Sequence, residues 1–349
     1  MKYTPALDGI RAFAVLLVML FHAGVPYMNS GYLGVDVFFV LSGFIITTLL
    51  MKEHEETGHI NLPFFYLRRI FRLYPALLLL LLLVLLGFWG VMGVPPTDIT
   101  TYYRHAAIAA LYLTDIGLLL DWMPKTSIIM HTWSIAIEEH YYIIWPFVLL
   151  MLCKSARKKH LAKIMGGMFL LSLVWKAIGC VYFKDSLYLR FDYRISGLIL
   201  GGFVAAFLQG GGRVPDYKIP LGVFFALFLF CLWTEVPRIS WSFAFGVTVT
   251  EIFTALLIYA VMTDHANAVV KFFGSAVPAY LGRISYGLYL YHYPIAAYTI
   301  VGRGWTVALP VTIMLTLVVA SLSYFLLERP ALEFAKRYKT RYRQPVTAK

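Results

Sequence analysis

Arg11 and His22 stand in one apolar run, LDGIRAFAVLLVMLFHAG, eleven positions apart. At about 100° per residue of α-helix, that spacing falls within about 20° of three whole turns. The two side chains therefore share a helix face, about 16 Å apart along the axis at roughly 1.5 Å per residue. Asp8 falls on the same face, a turn before Arg11. An ionisable group inside a spanning helix costs about 2.5–3.5 kcal/mol on insertion scales and usually turns toward the bundle interior or a wet cavity. A neutral imidazole in such a place is a candidate general base, and a guanidinium a candidate anion clamp. The alternative is an Arg11 that snorkels to the headgroups and a His22 that only bonds a neighbouring helix.

Further polar groups recur at the edges of later apolar runs. Asp36 follows Gly34 in GVDVFFVLSGF and reads either as a solvated edge residue or as a partner for His22. Arg68, Arg69 and Arg72 lie in FFYLRRIFRLYP, with 68 and 72 one turn apart. They read either as an anchor against anionic lipid or as a clamp for a phosphorylated ligand, and Pro75 suits the first turn of a third span. In HTWSIAIEEHYYIIWP, Ser134 and Glu138 share a face with His131, while Glu139 and His140 occupy other faces. Trp133, Tyr141 and Tyr142 of the same stretch also suit an interfacial anchor. Arg190 and Arg194 in RFDYRISG are a turn apart and read as an outer-edge anion or glycan site, or as solvated charge. His292, beside Pro294, reads as a structural histidine near a helix end, and Glu328-Arg329-Pro330 as a helix-ending ion pair. Cys153, Cys180 and Cys231 have no metal-ligand spacing and read as packing residues, so no metal is expected.

The elements that must position these groups are membrane helices. The 349 residues are 60% hydrophobic and only 14% charged, with a mean hydropathy of +0.74, too apolar for a soluble domain. The net charge of +12 sits in short segments between apolar runs, where it sets topology, so nucleic-acid binding is a poor reading. Apolar runs near 10–28, 33–51, 73–93, 133–153, 164–182, 194–209, 218–234, 241–263, 279–301 and 305–327 predict an all-α polytopic bundle of about ten spans. The basic linkers around Arg68 and at 154–163 belong on the cytoplasmic side, which leaves 104–120 on or dipping into the outer face. Both termini then fall in the cytoplasm, and the first span is expected to remain uncleaved. Residues 1–330 form one integral-membrane domain and 331–349 a basic cytoplasmic tail.

Seven stretches occur in order: LDGIRAFAVLLVMLFHAG, GVDVFFVLSGF, FYLRRIFRLYP, HTWSIAIEEHYYIIWP, YRISGLILG, LGRISYGLYLYHYP and SYFLLERP. With them the chain resembles the acyltransferase family 3 integral-membrane proteins, which move acyl groups, usually acetyl, onto cell-envelope carbohydrates. The resemblance implies that Arg11 and His22 are the family's essential Arg/Lys-x10-His pair. It also implies that Arg68, Arg69 and Arg72 lie in its cytoplasmic arginine-rich motif. Ser134 and Glu138 match the polar positions of its Trp-Ser-Leu-x-x-Glu stretch, with Ile135 for the usual Leu. His140 stands where Gln is common and Ser196 where Asp is frequent.

The expected enzyme is a multi-pass O-acyltransferase of the inner (plasma) membrane, taking acetyl from cytoplasmic acetyl-CoA. Its acceptor is a sugar hydroxyl of an envelope or secreted polysaccharide of the O-antigen or exopolysaccharide type. His22 serves as general base, oriented by Asp36 or Glu138, while Arg11, Arg68, Arg69 and Arg72 hold the CoA phosphates. Ser134, Arg190 and Arg194 contact the glycan. The hydrolase-like extracytoplasmic domain into which some relatives continue is not expected here. Alternatives are another acyl group, a small secreted metabolite as acceptor, or, in a different class, a secondary transporter or flippase, which the lack of an internal repeat disfavours.

Overall fold

The computed structural model describes residues 3–86, 99–153, 160–183, 186–234, 236 and 240–342. The end of the run 73–93, most of the basic linker 154–163 and the tail past 342 lie outside the described residues. Every regular element among the described residues is a helix, as a lipid solvent demands, since each backbone N–H and C=O must be satisfied within its own segment. Among the described residues, seven helical stretches are long and apolar enough to cross a membrane: Pro5–His22, Gly31–Thr57, Met130–Cys153, Leu161–Tyr182, Phe191–Gln209, Trp241–Thr263 and Trp305–Arg337.

The first four long helices frame the site. Helix α1 (Pro5–His22) opens with Pro5 at its first position and closes one residue before Ala23. Helix α2 (Gly34–Thr57) follows a short 3₁₀ turn and is stopped by Gly58, whose left-handed φ of 73° lets its N–H reach the His54 carbonyl. Helix α3 (Leu62–Leu85) starts where Asn61 caps the Phe64 N–H at 3.0 Å. Pro75 was expected to open this span; it lies inside the helix, because the Asn61 cap starts the coil well upstream. Arg68, Arg69 and Arg72 therefore belong to the helix itself rather than to a linker. The segment expected on the outer face forms two short helices, α4 (Ile99–Ala110) and α5 (Thr114–Leu119), before α6 (Trp133–Cys153).

Helices α7 (Leu161–Tyr182), α8 (Phe191–Gln209), α9 (Lys218–Trp233) and α10 (Ser240–Thr263) build the second half of the bundle. The run 279–301 is broken into α12 (Ala276–Arg283) and α13 (Ser285–Ile300), preceded by the short α11 (Ala268–Phe273). Helix α14 (Trp305–Ser323) runs through a π turn, Tyr324–Glu328, into α15 (Arg329–Tyr342), which packs on α3 through Phe334 and Phe71. The first part of the segment read as a tail thus continues a helix.

Two apolar cores share α1 and α2. One gathers α3, α6 and α13 around Val35, Phe39 and Leu50; the other gathers α7 to α10 around Val37, Leu41 and Phe44. A helix apolar on all sides belongs in the middle, and α2 is the central one. The three cysteines are buried and form no disulfide among the described residues.

Close backbone approach sets the centre. A Cβ on Gly43 of α2 would lie 1.9 Å from the Leu198 carbonyl oxygen, and one on Gly201 of α8 would lie 2.0 Å from the Val40 carbonyl oxygen. Small residues at such crossings let membrane helices pack by van der Waals contact where no hydrophobic drive separates helix from lipid. Gly201→Ala should therefore lower the thermal unfolding midpoint of the detergent-solubilised protein, by an overpacking cost of about 1–3 kcal/mol. Gly222→Ala on α9, with nothing within 4 Å of the added Cβ, should be neutral or stabilising by about 0.5–1 kcal/mol of helix propensity. A Gly201→Ala protein as stable as the Gly222→Ala protein would contradict this packing.

Candidate active site

A cavity of about 380 Å³ runs along α2. Its wall on that helix extends from Lys52 to Val35, roughly 25 Å at about 1.5 Å per residue, with Glu53 and Glu56 at the mouth. The mouth carries Arg11 from α1 and Arg68, Arg69 and Arg72 from α3; the inner part carries Ser134 and Glu138 from α6 and Tyr286 and Tyr289 from α13. Residues far apart in sequence thus share one space, and the same-face pairs Arg68 with Arg72 and Ser134 with Glu138 both line it.

The cations at the mouth are not equivalent. Arg11 is held by Asp8 at 3.0 Å, and Asp8 also accepts from the Tyr3 hydroxyl at 2.8 Å. Arg69 pairs with Glu139 at 3.0 Å and lies flat over the Tyr142 ring. Arg68 and Arg72 make no ion pair among the described residues and are exposed. Two guanidiniums are therefore committed to the protein and two are available to an anion. Deeper in, Glu138 accepts from Ser42 and from the Tyr142 hydroxyl, each at 3.1 Å. Ser42-Gly43, which interrupts the apolar run of α2, thereby acquires two tasks: a donor to Glu138 and a backbone contact to α8.

The inner end of the cavity is closed by Ser134 and Tyr289, whose hydroxyls are hydrogen-bonded to each other. Tyr289 also donates to the His131 carbonyl at 3.0 Å. Beyond this pair lie three histidines. His22, the last residue of α1, places Nδ1 3.1 Å from the Val18 carbonyl and 3.1 Å from His292 Nε2. His292 Nδ1 lies 2.6 Å from the Tyr289 carbonyl and 3.2 Å from that of Leu288. His131 Nε2 meets the Leu290 carbonyl at 3.0 Å. That carbonyl has no helical donor because the residue four positions on is Pro294, which lacks an N–H. The Tyr293 ring packs on His22 and His131, with centroids 4.8 and 4.9 Å away. His131 and His292 are buried, and His22 is half-buried.

Four expectations are corrected by these contacts. Asp36 does not orient His22: it is fully buried in an ion pair with Arg194, 3.2 Å from Nη2, and that interaction takes the carboxylate. Glu138 is likewise engaged by Ser42 and Tyr142 rather than by His22. Arg190 and Arg194 do not form a joint outer-edge site. Arg190 lies half-buried against Asp192 at 2.8 Å, while Arg194 is 0% exposed and boxed by Phe39, Trp133, Tyr188 and Phe243 at 5.3–5.4 Å. His292, read as a helix-end structural residue, is the observed partner of His22.

Sequence reasoning also missed a second buried pair. Lys176 of α7 bonds Glu251 of α10 at 3.1 Å, and Ser196 of α8 donates to the same carboxylate. The signal was present: each is a lone ionisable residue within a long apolar run, and such residues seek one another inside a bundle.

The sequence profile of the acyltransferase 3 family, an acyltransferase domain, matches residues 4–327. The chain is 31% identical over 361 aligned positions to a candidate O-acetyltransferase of Staphylococcus aureus strain COL, covering 95% of this chain and 57% of the relative. It is 29% identical over 351 positions to O-acetyltransferase OatA of Staphylococcus aureus strain NCTC 8325, covering 94% of this chain and 57% of that protein. The chain thus spans a little over half the length of these curated relatives. Among solved structures none matches it. From the ordered motifs, the helical bundle and the family profile that spans nearly all of it, the chain belongs to acyltransferase family 3.

Proposed function

We propose that the chain is a membrane O-acetyltransferase, moving acetyl from cytoplasmic acetyl-CoA to a sugar hydroxyl of an envelope or secreted polysaccharide. The observation that carries this reading is the cavity: cationic at its mouth, about 25 Å deep along α2, and closed by one Ser134–Tyr289 pair in front of the His22–His292 contact. A long donor with phosphates at one end and a thioester at the other has that shape and charge. Arg68 and Arg72 supply guanidiniums suited to the phosphates, with Arg11 and Arg69 already oriented by their carboxylate partners. The apolar walls on α2 suit the uncharged arm, and Ser134 is a hydroxyl placed at the reacting end.

In this mechanism His22 is the general base. It takes the proton of the acceptor hydroxyl as that oxygen attacks the thioester carbonyl. The C–O bond forms, the C–S bond breaks, and His22 returns the proton to the departing sulfur. The donor enters from the basic end and the glycan from the opposite end, in keeping with a multi-pass inner-membrane protein of about ten spans with both termini cytoplasmic. Arg190, beside Asp192, is the remaining candidate for contact with the glycan. Asp36 and Arg194 act in this reading by holding α2 against α8, not by touching substrate.

The test is complementation of a deletion in the native host, with mass spectrometry of surface and secreted glycans. The wild-type chain should restore an acetyl mass increment, and His22→Ala, at matched membrane abundance, should abolish it. Full modification by His22→Ala overturns the mechanism; solute flux without CoA dependence would favour a transporter. A second prediction concerns the mouth. Removing a charge-assisted contact weakens binding by about 1.5–3 kcal/mol, so Arg68→Ala/Arg72→Ala should raise the KM for acetyl-CoA about tenfold or more, with kcat little changed. The KM for an acetyl-pantetheine donor lacking the nucleotide phosphates should not move. Equal sensitivity of both donors would place the phosphates elsewhere.

A further inference from the structure

His22 Nδ1 lies between a backbone carbonyl and a second imidazole, and these two contacts decide which nitrogen of the ring carries the proton. Carbonyl oxygens only accept. His292 Nδ1, 2.6 Å from the Tyr289 carbonyl, therefore carries a hydrogen, and in the neutral ring its Nε2 holds the lone pair. That lone pair faces His22 Nδ1 at 3.1 Å. The same His22 nitrogen faces the Val18 carbonyl at 3.1 Å. Both neighbours accept, so His22 Nδ1 is the donor, its hydrogen shared between them, and the lone pair of His22 belongs to Nε2. The order of protons runs from the Tyr289 backbone through His292 to His22 without a choice at any step.

We propose that His292 is a positioning residue that fixes His22 as the Nδ1–H tautomer and so makes Nε2 the base nitrogen. This inference rests on the reading of His22 as general base. His292 does for His22 what a carboxylate does in a hydrolase triad, with one difference: it adds no charge to an apolar bundle, where an unpaired carboxylate would be costly. When His22 Nε2 takes a proton, the Nδ1–H donor becomes cationic, and its bond to the neutral His292 Nε2 strengthens. The proton count stays closed, since the proton gained from the hydroxyl resides on His22 until it leaves with the sulfur.

The arrangement is rigid. His292 is fully buried, and its Nδ1 anchor is the backbone of its own helix. His131, tied to the Leu290 carbonyl, and Tyr293 pack against the same pair of rings. A side chain whose job is to hold another ring needs this kind of support.

The experiment uses the full chain in lipid nanodiscs with ¹⁵N,¹³C-labelled histidine, the His22 signals being identified by their loss in His22→Ala. Solid-state NMR of the wild type should show His22 as the neutral Nδ1–H tautomer. His292→Ala should lose that tautomer's dominance, and His292→Gln, whose carbonyl oxygen can stand in for Nε2 as acceptor, should restore it. With acetyl-CoA and glycan acceptor, His292→Ala should lower kcat about 10–100-fold, the range of second-shell losses, with both KM values within about twofold, and His292→Gln should recover part of it. A wild-type His22 in the Nε2–H form, or His292→Ala with unchanged tautomer and kcat, overturns the proposal. Should the wild type transfer no acetyl at all, the reading as acetyltransferase fails, while the NMR result still decides the tautomer.

Discussion

The bundle depends on how it pairs charge away from water. Asp36 with Arg194 and Lys176 with Glu251 are almost wholly buried, and they tie together α2, α7, α8 and α10. Leaving either partner alone in the interior costs several kcal/mol, so each pair tolerates only the crossing that brings its members together. The glycine contacts between α2 and α8 serve the same crossing from the backbone side, since Gly43 and Gly201 allow carbonyls to approach where any Cβ would collide. Four aromatic rings around Arg194 give its guanidinium faces to lie against. The result is a fixed central helix, and every group proposed to act is measured from it.

From that helix the polar groups divide into two sets of opposite character. At one end the cavity gathers guanidiniums, two of them neutralised by Asp8 and Glu139 and two not. At the other end stand three imidazoles with backbone and imidazole partners. The charged donor and the neutral base proposed above have different needs: the first wants field, the second a defined tautomer. Ser134 and Tyr289 separate the two, and Tyr289 belongs to both, with its hydroxyl on Ser134 and its carbonyl on His292.

Helical periodicity makes the composition of each face legible: Arg68 with Arg72 on α3 and Ser134 with Glu138 on α6 are same-face pairs, and both pairs line the cavity. Periodicity says nothing about which helix a face will meet. Asp36 and Arg194 lie 158 positions apart, and His22 and His292 lie 270 apart. Both pairings are products of helix crossings that no local pattern encodes. Local pattern therefore offers Asp36 to His22 where the fold pairs it with Arg194, and it presents as a helix-end residue the His292 that meets His22. The start of α3 differs from the pattern for another reason: Pro75 is an acceptable first-turn residue, but an Asn cap upstream outweighs it, and the helix carries the proline inside.

Those interior prolines have consequences for the site. Pro294 removes the N–H that would bond the Leu290 carbonyl, and His131 takes the vacant acceptor, which fastens the start of α6 to α13. Around Pro75 the Tyr286 hydroxyl donates to the Leu73 carbonyl and the Tyr291 hydroxyl to that of Ala76, which fastens α13 to α3. Each such bond contributes modestly, about 0.6 kcal/mol on average between membrane helices. Their number and spread matter more than their strength. With contacts to α3 and α6 between Tyr286 and Tyr291, α13 cannot rotate without breaking several at once. Tyr289 and His292, one helical turn apart on that helix, are therefore held in register with the cavity floor and with His22, the precision that a neutral His–His contact requires and that a long-range charge attraction would not supply.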